Sequence, residues 1–218
     1  MTYLAFDFLS NSKYFRLLKK DISFLEEFIK SEILFILIFF FILFFNLKAH
    51  SSINQEIINH LENINSLEFN FIQKIDNNNI EKGECIILYP KKILCKYDDI
   101  YNKILVSNGR SLVINSDKIQ NYYRYPLDKT PLNFILDKKF LVSKMKEVEN
   151  DKNYPFYYVF NFEHENNLIK VFFDKESLYL IGWETKDIYQ NLIQTFLSDI
   201  NINIEVEEKM FSLQKYIN

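Results

Sequence analysis

The chain has 218 residues, a net charge of −3 and 17% aromatic side chains, but only three Gly and four Pro. That length gives room for one domain of moderate size plus an N-terminal addition. With a slightly acidic balance and both signs mixed along the chain, nothing argues for the basic face that a nucleic-acid footprint needs. Phe, Ile, Tyr, Asn and Lys are abundant while Gly, Ala, Pro and Arg are scarce, the bias of AT-rich codons, so part of the aromatic content carries no structural message.

Residues 33–45 read ILFILIFFFILFF and stop at Asn46. Thirteen helical residues make roughly 20 Å, short of a hydrocarbon core of about 30 Å. The length suits the apolar region of a cleaved export signal. Ala49 and Ser51 put small residues at −3 and −1 of a cut before Ser52. Asp21, Glu26, Glu27 and Glu32 dilute the basic residues that normally precede such a run. The expectation is a leader over residues 1–51 and a soluble domain over 52–218, lying beyond the inner membrane; the alternative is a retained anchor. No Cys lies near the cut to carry a lipid.

Ser52 with Gln55 reads as a capping box, and Ile53, Ile57, Leu61 and Ile64 repeat at helical spacing to about Asn65. From there the pattern alternates. Strands are expected over residues 69–75, 83–89, 93–97, 104–107, 111–115, 119–124, 154–163, 168–173, 178–184, 192–197 and 200–206. Turns fall at 76–79, 89–92, Asn108-Gly109, Asn166-Asn167 and 174–176. About ten antiparallel strands in one sheet must curl or close rather than stay flat.

One helix interrupts this series. Thr130 is placed to cap it, Pro131 fits its first position, and Leu132, Ile135 and Leu136 share a face beside Phe134. A lone apolar helix among strands needs a surface, and the mouth of a curved sheet provides one. Residues 140–149 fit helix and strand equally. The fold class is therefore α+β, mainly β: an incomplete antiparallel β-barrel of about ten strands with a helical lid.

With the 89–92 turn centred near Lys91, Cys85 faces Tyr97 and Cys95 faces Ile87, an awkward diagonal for a bridge, so the two Cys are expected as small buried thiols, with the disulfide that an even count in an oxidising compartment invites as the alternative. None of the three His has a partner at metal-ligand spacing, and Asp98-Asp99 and Glu207-Glu208 point to opposite faces of a strand. No phosphate loop or nucleophile elbow occurs. The pattern favours a binding protein without cofactor or metal over an enzyme.

In order and spacing, residues 67–74 (LEFNFIQK), 83–90 (GECIILYP), 104–112 (ILVSNGRSL), Thr130-Pro131-Leu132, Ile135-Leu136, 169–174 (IKVFFD) and 180–183 (LIGW) make residues 52–213 resemble the outer-membrane lipoprotein carrier (LolA) family. The resemblance implies an incomplete barrel closed by helices, whose apolar cavity carries lipoprotein acyl chains across the periplasm. It implies as partners acylated lipoproteins, an inner-membrane lipoprotein-releasing transporter complex and an outer-membrane LolB-like receptor, and a monomeric carrier. The chain resembles the LolB family too, but that receptor needs a lipidated Cys. The family has a basic residue before the hairpin Pro, which helps latch the lid, and a Trp five residues after it; here these are Tyr89 and Cys95. A hydrogen bond from the Tyr89 hydroxyl is the substitute latch this reading offers.

The expected lipid-binding wall is Phe69, Phe71, Cys85, Ile87, Tyr89 and Ile93, and the expected lid is Leu132, Phe134, Ile135 and Leu136. Two other functions fit the same pattern: a membrane-tethered module that binds partner proteins, and an unrelated barrel for lipids or small molecules.

Overall fold

A computed structural model of the chain describes residues 30–37, 39, 52–76, 79–118, 122–151, 154–164, 167–187 and 189–217. The chain divides into two compact units, Met1–His50 and Ser51–Asn218. In the first, residues 30–37 and 39 are helical. The acidic residues before Lys30, the end of the apolar run and the expected cut at Ser51 lie outside the described residues. Among the described residues no helix is long and apolar enough to cross a membrane.

The second unit opens with α1, Ile53–Glu62, where the Ser52 hydroxyl accepts the Gln55 backbone N–H. Ten strands follow: β1 Ser66–Ile75, β2 Asn79–Leu88, β3 Lys92–Tyr97, β4 Ile104–Asn108, β5 Ser111–Asn115, β6 Tyr123–Pro126, β7 Tyr157–His164, β8 Asn167–Asp174, β9 Leu180–Lys186 and β10 Leu192–Ile202. They form one antiparallel sheet in the order β6-β5-β4-β3-β2-β1-β10-β9-β8-β7. Two meanders thus join through β1 and β10, and β6 and β7 are its open edges. The chain crosses from one edge to the other through a 3₁₀ turn at Leu127–Lys129, α2 at Leu132–Leu136 and α3 at Lys138–Glu147. That connection is why both helices lie across the concave side.

Alternation divides the faces. Leu67, Phe69 and Phe71 of β1 are buried while Glu68 and Asn70 are exposed. Inward side chains of the sheet pack with Ile57 and Leu61 of α1, Ile135 and Leu136 of α2, and Leu141 and Met145 of α3 in one core. On the convex side, Leu94, Val106 and Val113 form a second cluster under Phe211 and Leu213, carried by 3₁₀ turns near the C-terminus.

Several local expectations are corrected. Cys85 pairs directly with Cys95, because the hairpin turns one residue earlier than Lys91 would place it, and the two form a disulfide with Cα atoms 4.1 Å apart. Free thiols are thereby overturned. The sixth strand is Tyr123–Pro126, pairing Ser111 with Pro126, whereas residues 119–121 lie outside the described ones. Pro is tolerated there because β6 is an edge. The ambiguous stretch after Asp137 is helical, its first turn closed by the Asp137 carboxylate accepting the Phe140 N–H. The last two expected strands are one, β10. Its alternation breaks at Asp199, which has φ 51° in a bulge opposite β1 and accepts a hydrogen bond from Asn70 Nδ2 at 2.8 Å. Thr130 does not cap α2 with its side chain; its hydroxyl donates back to the Leu127 carbonyl. Parts of the 76–79 and Asn166-Asn167 turns (Asn77, Asn78, Asn166) lie outside the described residues.

Candidate functional site

A cavity of about 280 Å³ lies on the concave side, between the strands and α2. Of the expected wall, Phe71, Cys85 and Ile93 line it, and Leu132 lines it from α2. Phe69, Ile87, Phe134, Ile135 and Leu136 are buried in the core around it without forming its surface, as is the half-buried Tyr89. These five fully packed side chains shape the cavity from behind. A substitution of Ile135, which has no exposure, acts first on folding.

Other lining residues escaped the sequence reading. Leu105, Leu112 and Ile114 extend the apolar wall into β4 and β5; Trp183 and Ile193 supply it from β9 and β10. Continuing the period-two pattern of β1 past Phe71 would have reached Gln73 and Ile75, both of which line the cavity. Trp183 meets Phe69 edge-on at 6.4 Å, which ties the two meanders together across β1 and β10. Phe71 and Tyr97 flank Gly83 in register, and their rings meet at 5.0 Å over the space its missing side chain leaves.

Polar groups gather further along the same strands. Lys103 Nζ lies 2.6 Å from Glu81 Oε1 and 4.0 Å from the Tyr97 ring centroid. The Tyr97 hydroxyl is directed at Gln73 Oε1 at 3.5 Å, and Gln73 Nε2 donates to Thr195 Oγ1 at 3.1 Å. Burial, reinforced by Glu81 and Asp99, pushes the Tyr97 phenol well above its ordinary range, so it stays a protonated donor. Glu81 Oε2 is buried and accepts no hydrogen bond among the described residues.

The lid is fastened on its other side. The Lys91 N–H donates to the Leu136 carbonyl at 2.9 Å, and its ammonium pairs with Asp137 at 3.1 Å. Lys138 Nζ donates to the carbonyls of Glu62 and Ile64 at the end of α1, and lies 5.6 Å from the Tyr89 ring centroid. The Tyr89 hydroxyl is buried without a hydrogen-bond partner among the described residues, so it is not the latch. The Phe134 and Phe140 rings lie tilted to each other at 5.0 Å with the His164 ring edge-on to both, joining α2 and α3 to the β7 edge. Among the described residues no group of three His, Cys, Asp or Glu side chains gathers at metal-binding distance.

The sequence profile of the family described as "Outer membrane lipoprotein carrier protein LolA" matches residues 62–214. No curated protein matches the chain. Among solved structures it is similar to a LolA superfamily protein from Nitrosomonas europaea, with 9% identity, a TM-score of 0.45, and coverage of 76% of this chain and 100% of that one. It is similar to a DUF1329 family protein from Desulfovibrio piger (7% identity, TM-score 0.45, 75% and 97% covered). It is also similar to MucB in the Pseudomonas aeruginosa MucA/MucB complex (12% identity, TM-score 0.41, 76% and 61% covered).

Proposed function

The chain belongs to the outer membrane lipoprotein carrier family, LolA, and on that premise we propose that it is a periplasmic carrier that holds lipoprotein acyl chains between the membranes. The observation that carries the reading is the mainly apolar cavity between the curled sheet and α2, floored by Phe71, Ile93, Leu105 and Trp183. Apolar walls with a few placed polar groups are what a ligand site for a greasy molecule requires. The Cys85–Cys95 disulfide supports an oxidising compartment. In this reading the protein acts by binding rather than catalysis. It receives cargo as a monomer from an inner-membrane lipoprotein-releasing transporter complex and passes it to an outer-membrane LolB-like receptor.

The test is release. Spheroplasts incubated with the purified protein are expected to shed lipoproteins into the supernatant in complex with it. Uptake of free lipids with no lipoprotein in the supernatant would instead make it a carrier of small amphiphiles. No uptake of either would end the acyl-binding reading.

A further inference from the structure

The cavity carries a polar row partway along the strands, between the apolar disulfide row and the Ile75–Ile193 pair. Its apolar part is built on the register row Phe69, Cys85, Cys95 and Leu105, with α2 beside it. Four residues along β2 lies Glu81, paired in register with Gln73 of β1, which in turn faces Thr195 of β10. At about 3.3 Å per residue the polar row lies roughly 13 Å from the disulfide row. An acyl chain lying along the strands from α2 thus brings its linkage to the polar row.

That row is asymmetric in what it offers. The Tyr97 hydroxyl donates to Gln73, Gln73 donates one of its two amide N–H groups to Thr195, and Lys103 pairs with Glu81 Oε1. The acceptor left over is Glu81 Oε2, buried without a donor among the described residues. Leaving a buried charged oxygen unmatched costs stability, and a donor entering the cavity relieves that cost. A carboxylate entering the same place meets a like charge.

We propose that the Glu81–Gln73–Thr195 row is a headgroup subsite that accepts a hydrogen bond from a neutral donor, an amide N–H or a hydroxyl, next to the acyl chain. The inference rests on the acyl-binding reading and names the class of amphiphile it selects. The pair of Glu81 with Lys103 holds the carboxylate toward the cavity, and Tyr97 holds Lys103 from the other side.

The experiment uses the full chain and N-phenyl-1-naphthylamine, a neutral probe that brightens in apolar cavities. Four twelve-carbon competitors displace it: dodecanamide, 1-monododecanoylglycerol, methyl dodecanoate and dodecanoate. The amide and the monoacylglycerol are expected to displace the probe at about tenfold lower concentration than the methyl ester, the scale of one hydrogen bond to a charged acceptor. Dodecanoate is expected to be the weakest. In the double variant Glu81→Leu with Lys103→Met, which removes both charges together, the preference for the amide and the monoacylglycerol over the ester is expected to vanish. Equal displacement by all four, or dodecanoate displacing best, overturns the subsite and leaves acyl binding intact. No displacement by any competitor overturns the acyl-binding reading itself. The competitor series on the unaltered protein decides even where the variant fails to fold.

Discussion

Two glycines show how single positions let aromatic rings from neighbouring strands meet across this sheet. Phe71 and Tyr97 meet across Gly83 on the concave side; Phe172 and Phe196 stack 5.5 Å apart across Gly182 on the convex side. In each case an added Cβ collides with a neighbouring strand's carbonyl oxygen, Lys96 at Gly83 and Thr195 at Gly182. Backbone cannot yield as a flexible side-chain tip can, so the strand itself must shift. Gly83→Ala is expected to destabilise the protein by about 1–3 kcal/mol, the usual scale of overpacking. The effect also reaches the cavity, because the displaced strand carries Glu81 and Cys85. Urea unfolding checks the stability. An unchanged midpoint would show that β2 has slack which the Lys96 contact denies.

Among the elements, the fastening of α2 and α3 has two cations of unequal weight. Lys91 and Asp137 form a pair whose side chains are 33% and 27% exposed, and such a pair contributes about 0–1 kcal/mol. The Lys91 backbone bond to Leu136 survives any side-chain change. Lys138 instead satisfies two carbonyls at the C-terminal end of α1, which its neutral replacement would leave bare. Burial lowers the Lys138 pKa, opposed by Glu62. Lys138→Met is therefore expected to cost about 1–2 kcal/mol and Lys91→Met under about 1 kcal/mol. Thermal unfolding of the two variants ranks them, and the reverse order would assign the latch to Lys91. The sequence signalled these elements unevenly. Strands and α1 were legible because alternation and helical spacing report burial directly. The latch was not, because Lys91 and Lys138 look like any solvated lysine until the crossover brings them to α2 and α1. The hairpin register was missed by one residue, since nothing local distinguishes a turn at Pro90 from one at Lys91, and that residue decides whether Cys85 meets Cys95. The polar row was hidden for another reason: Gln73 and Glu81 hold inward positions, where composition alone reads as surface.

For the whole molecule the decisive quantity is volume. The cavity holds about 280 Å³, just below the roughly 300–1,000 Å³ typical of ligand sites. Most of the remaining concavity is filled by α2 and α3, whose Ile135, Leu136, Leu141 and Met145 are fully buried. A carrier of several acyl chains must move these helices outward. Exposing four such side chains costs roughly 6–12 kcal/mol at about 1.5–3 kcal/mol each. A buried acyl chain of about 16 carbons returns roughly 0.8 kcal/mol per methylene, about 12 kcal/mol in all. The balance is about 0–6 kcal/mol in favour of binding, so in the carrier reading one chain is enough to compensate for lid displacement and the next adds affinity. The helices are joined to the sheet covalently through the crossover between the edge strands β6 and β7, so their movement requires release of the Lys91 contacts to Leu136 and Asp137 and of the Lys138 contacts to Glu62 and Ile64. Loading with an acylated lipoprotein is accordingly expected to speed amide hydrogen exchange at Leu132–Leu136 and Lys138–Glu147, while the disulfide-bridged β2 and β3 stay protected. Increased protection of α2 and α3 on loading would mean that cargo enters beneath a stationary lid, and the volume argument would then fail, because a fixed lid leaves no room for more than part of one chain.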